Sequence, residues 1–107
     1  MTRQTAIEQK RTKEFVVLCR RHSLALSQAQ QALENGYSKI AQGVLAQAAA
    51  IQVQIEQNVR EGQYSAMLSE RAQLGQKLQA ALASHQTAAA RQLAQDLAAL
   101  DKLIEAV

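Results

Sequence analysis

Cys19 and His22 stand three residues apart with Arg20 and Arg21 between them. On a helix that spacing puts a thiol and an imidazole on one face, where they suit either a pair of metal ligands or a nucleophile beside its base. Both chemistries are short of parts. A structural zinc site wants four ligands, and the chain has one cysteine and one further histidine, His85, far away in sequence. The neighbouring cations would lower the thiol pKa, but Cys19 closes the apolar run Phe15-Val16-Val17-Leu18-Cys19, where a thiol is packed and inert. His22 then reads as a partly exposed neighbour of a small buried hydrophobe. No glycine-rich phosphate loop or carboxylate pair offers another route. The expectation is a chain that is not an enzyme and uses no metal, cofactor or small-molecule substrate.

Arg71 poses a different question, because it interrupts the apolar series Tyr64, Met67, Leu68, Leu74, Leu78 and Leu82. A charge in such a stripe meets a carboxylate, lies at the edge with its stem along the apolar surface, or faces a partner. Edge placement is the commonest of the three. Lys10, Lys13, Arg20 and Arg21 form a basic stripe on the first helix that suits phosphates, and the pI of about 9.4 fits a nucleic-acid binder. Against that, the stripe holds no aromatic for base stacking, the net charge is only +3, and no helix-turn-helix with a short second helix is present.

The elements that carry these residues are helical. Ala and Gln supply over a third of the chain and proline is absent, so long uninterrupted helices are favoured. Asn35-Gly36 is a strong helix stop, Gly62 a weaker one, and Ser84-His85 a third. Ser38, and Ser84 or Thr87, are the candidate N-caps. The spacing predicts helices over 3–34, 38–60, 64–83 and 87–106. Their apolar stripes are Ile7, Phe15, Leu18, Cys19, Ala25, Leu26, Ala29 and Leu33; then Ile40, Val44, Ala48, Ile51, Ile55 and Val59; the stripe around Arg71; and Ala90, Leu93, Leu97, Leu100, Ile104 and Val107. A faint recurrence of Ala32-Leu33-x-x-Gly36 near Gly62 and His85 is explained by helices of similar length ending alike. The chain is expected to be one all-α domain over 1–107, an antiparallel bundle of three to four helices. The alternative is a long helical hairpin that dimerises, if helices two and three run on through Gly62.

Charge is unevenly held: residues 1–34 carry the whole surplus of +3, and the remainder balances. Cations early in helix one and acids late in helix four each oppose their own macrodipole, and they compensate if the two helices lie antiparallel. No segment approaches the roughly 20 apolar residues of a membrane span, and the N-terminal apolar run is too short for a signal peptide. With a lone cysteine, this places the expected compartment in the cytoplasm.

Five consecutive apolar residues at Phe15–Cys19 point all round a helix, so more than one surface must close over them. Much of the apolar fraction is Ala, which buries little area, and a thin core favours association. The expected function is a non-enzymatic helical interaction module, adaptor or chaperone-like, packing apolar seams against a protein partner or a second copy. Phe15, Val17, Leu24, Val53 and Arg71 are the expected partner contacts. The alternative is a dimeric nucleic-acid-binding bundle using Lys10, Lys13, Arg20 and Arg21.

Overall fold

The computed structural model describes the backbone of residues 3–61 and 66–105, and the side chains of 13–59 and 66–105. Four helices account for nearly all of this: α1 (Arg3–Glu34), α2 (Ser38–Glu61), α3 (Ala66–Ala83) and α4 (Thr87–Glu105). The described boundaries fall within one residue of those expected, α2 running to Glu61 rather than 60. Gly62 and Tyr64 lie outside the described residues, but α2 and α3 pack side by side, with Gln52 reaching Ala72, so the continuous rod is ruled out.

The helices run up, down, up and down. α1 contacts each of the other three, whereas α2 and α4 stay apart across the opposite diagonal. Ion pairs fix the antiparallel course of α1 and α4: Arg91 Nε donates to Glu34 Oε1 at 2.7 Å and Arg20 Nε to Glu105 Oε1 at 2.6 Å. Arg91 holds the Glu34 carboxyl below its usual range, chiefly through that hydrogen bond. The expected compensation is present in direction but shifted in register. Among the described residues Glu105 meets Arg20, which lies past the middle of α1.

Two of the helix ends are built alike. After α1, Tyr37 N–H donates to Ala32 C=O and Gly36 N–H to Leu33 C=O; after α3, Gln86 N–H donates to Ala81 C=O and His85 N–H to Leu82 C=O. Each is a Schellman turn with its C′ residue left-handed, Gly36 at φ 83° and His85 at φ 58°. This shared ending underlies the faint recurrence in sequence. Tyr37 and Gln86 accept the first bonds of α2 and α4, from Ala41 and Ala90, so these two are the N-caps rather than Ser38, Ser84 or Thr87.

The core has two apolar halves. Phe15, Cys19, Ile55, Leu68, Ala72 and Ile104 fill one; Ala25, Leu26, Ala29, Ala48, Leu78, Ala81, Leu82, Ala90 and Leu97 fill the other. One stripe needs correction: Ile40 is exposed and Ala41 is buried in its place, two heptads before Ile55 on the line that faces the interior.

His85 is a β-carbon residue in a conformation that favours glycine. His85→Gly should raise stability by about 1 kcal/mol, moving the midpoint of thermal unfolding up by several degrees. A thermal melt followed by circular dichroism reads this directly, and an unchanged or lower midpoint counts against the strained cap.

Candidate functional site

Between the two apolar halves lies a polar layer drawn from all four helices. Arg71 of α3 is at its centre and is fully enclosed, with 0% of its surface exposed. Its Nε donates to Asp101 Oδ1 of α4 at 2.6 Å. Its Nη2 donates to the Cys19 carbonyl at 3.1 Å and to Ser23 Oγ at 3.2 Å, and both terminal nitrogens lie 3.3 Å from His22 Nδ1. Ser23 Oγ in turn donates to Asp101 Oδ2 at 2.5 Å. Both carboxylate oxygens are thus occupied, which is what a buried ion pair needs if its attraction is to offset desolvation.

His22 is likewise fully buried, not partly exposed as expected. With guanidinium donors facing Nδ1, the ring accepts there and carries its proton on Nε2, which lies 3.5 Å from Gln79 Oε1. Burial, reinforced by the charge on Arg71, pushes its pKa down to about 4. Burial also raises the Cys19 thiol to about 12, against the smaller opposing effect of Arg71. Cys19 and His22 are therefore a protonated thiol and a neutral imidazole that serves as acceptor for an arginine. Among the described residues no three His, Cys, Asp or Glu side chains gather as a metal centre would require.

Gln52 of α2 completes the layer. Its Nε2 donates to the Ala72 carbonyl at 2.7 Å, while its buried Oε1 has no partner. Gly75 explains how these groups fit. A β-carbon there would sit 2.6 Å from Arg71 Nη1, 2.8 Å from Gln52 Oε1 and 3.0 Å from His22 Cε1.

These contacts change the expected surface set. Phe15 and Arg71 are both at 0% exposure inside their own chain, the first against Ile55, Leu68 and Ile104, the second against Asp101. Neither presents atoms to a partner in this fold, so the reading of them as partner contacts is corrected. Sequence spacing carried a signal for the pairing. Asp101 follows Leu97 by four residues and precedes Ile104 by three, which sets a carboxylate on the α4 seam to answer the arginine on α3.

Val17, Leu24 and Val53 are at the surface, at 51%, 61% and 57% exposure. Val17 and Leu24 are seven residues apart and lie within about 20° of each other around α1, facing outward. Val17 lines a groove of about 510 Å³ between α1 and α2, together with Lys13, Glu14, Leu18, Gln54 and Asn58, and Leu24 lies on the same outward line of α1 two turns farther on. Val53 is exposed on α2 and does not line that groove. In the basic stripe, Lys13 and Arg21 are exposed, Arg20 is committed to Glu105, and the side chain of Lys10 lies outside the described residues.

Three outcomes follow for the polar layer. Asp101→Ala should cost about 3–5 kcal/mol by leaving the fully enclosed Arg71 without its counter-ion, whereas Arg71→Met combined with Asp101→Leu should recover most of that in urea unfolding. Gly75→Ala should destabilise although alanine is the better helix former, because enclosed neighbours must move. Since the folded pKa of His22 lies below the unfolded value of 6.5, the unfolded chain binds more protons between pH 6.5 and about 4. Stability should be full above that window and fall through it by roughly 2–4 kcal/mol, a slope that His22→Gln removes. No protein-family model, curated protein or solved structure matches the chain significantly, so the geometry alone carries the functional reading.

Proposed function

We propose that this chain is a non-enzymatic helical interaction module, adaptor or chaperone-like, that docks a helix of a protein partner or of a second copy on the outer face of α1. The observation that carries this is the joint placement of Val17 and Leu24. Single exposed apolar residues are ordinary, but two at heptad spacing, the first of them lining a groove, give a docked helix its anchors. Val53 adds apolar surface on the next helix rather than in the groove. The polar layer supports this role indirectly, by holding α1 rigidly so that its outer face is fixed before a partner arrives.

Membrane insertion is not part of the proposal, because no helix among the described residues is long and apolar enough to cross a membrane. The free, buried thiol of Cys19 suits a reducing compartment, and we place the module in the cytoplasm on that ground. Nucleic-acid binding is the weaker alternative. One of its four cations is neutralised by Glu105, and apolar Val17 and Leu24 sit among the rest where phosphates would have to lie.

A photo-crosslinking amino acid placed at Val17 in cells should yield one discrete adduct, whose mass distinguishes a second copy from another protein. The adduct should disappear when Leu24→Gln is present and should be absent when the probe is placed at Gln92, on the exposed side of α4. Equal labelling from both positions, or none from Val17, would overturn the proposal.

A further inference from the structure

Charge around the two anchors narrows the chemistry of whatever covers them. We infer that the outer face of α1 takes an amphipathic helix whose apolar stripe is flanked by carboxylates, a deduction that rests on the interaction reading above. Around α1, Lys13 and Arg20 fall on one side of the Val17–Leu24 line and Arg21 on the other. Among the described residues Glu14 is the one acid lining the groove. Arg20 is already paired with Glu105, but Lys13 and Arg21 have no ion-pair partner among the described residues. The segment they belong to, residues 1–34, carries the chain's entire surplus of +3.

A second copy is a poor occupant by the same measure. Packing α1 antiparallel on another α1, with Val17 against Leu24, would bring two copies of Arg20 and Arg21 together at the symmetry axis. Like charges placed face to face oppose docking. A nucleic acid would satisfy Lys13 and Arg21 but strand both anchors against phosphates, with no aromatic in the stripe to receive a base. A helix with apolar residues at heptad spacing and Glu or Asp beside them satisfies anchors and cations together.

The test uses the full chain and two fluorescent synthetic helices of three heptads, identical in their leucines, one flanked by glutamate and the other by lysine. Anisotropy should show the acidic helix binding roughly tenfold more tightly at low salt, with the gap narrowing as salt rises. Lys13→Glu with Arg21→Glu should reverse the preference, and Val17→Gln with Leu24→Gln should abolish binding of both; circular dichroism checks that these surface variants stay folded. Equal binding of the two helices, indifference to the charge reversal, or no binding of either would overturn the inference. If the Val17 crosslink persists in those cases, the interaction reading stands and the acidic occupant alone falls. A DNA duplex that binds with a steep salt dependence and ignores the Val17 and Leu24 substitutions would overturn it in favour of phosphate recognition.

Discussion

The contact between Arg71 and Asp101 is the constraint on which the rest of this bundle depends. A guanidinium with no exposed surface must find acceptors for its donors, and here they come from two other helices: the Asp101 carboxylate on α4, and the Cys19 carbonyl, Ser23 and His22 on α1. Each partner is then constrained in turn. His22 has to stay neutral to accept from an arginine, Ser23 is held between guanidinium and carboxylate, and Gly75 has to lack a side chain for Arg71 and Gln52 to sit where they do. Domains of this size are stable by about 5–15 kcal/mol, so leaving the enclosed guanidinium without its carboxylate would remove a large share of the total.

The two apolar halves are not equivalent. One has Phe15, Ile55, Leu68 and Ile104 and obtains its contacts from large side chains. The other counts five alanines among its nine buried residues, so its contacts depend on backbones lying close together. The exposed anchors Val17 and Leu24 are on the helix that spans both halves, and the polar layer lies at the level of His22, between them. The proposed docking face is therefore braced from behind by the hydrogen bonds that Arg71 makes to α1.

Much of the fold was legible in the chain itself. Absence of proline, the Asn35-Gly36 stop and the spacing of the leucines locate the helical spans to within a residue or two, leaving open only whether the second and third join through Gly62, and the charge imbalance indicates that α1 and α4 run antiparallel. Those features are local or depend on summed charge, which is why they can be read along a line. What could not be read was the destination of Arg71. Its partner is thirty residues away on another helix, and an arginine in a stripe is compatible with an edge, an ion pair or an interface. Phe15 was misjudged for a related reason. Five consecutive apolar residues do need cover from several sides, but α2, α3 and α4 all reach the Phe15 and Cys19 side of the run, and only Val17 is left well exposed. The burial of His22 is carried by its place between Cys19 and Leu26 on the inward face of α1, a position that its residue type alone does not reveal.

The position of the polar layer partway along an otherwise greasy column also determines how the rods can be aligned. Sliding any one of them by a single turn, about 5.4 Å, would carry a charge or an amide into hydrocarbon and leave its former neighbours without a mate. Leucine and alanine repeats tolerate such slippage well, since one rung resembles the next. A single unlike rung acts as a bolt through the stack, so that a sequence nearly monotonous in Ala, Leu and Gln still has only one way to close.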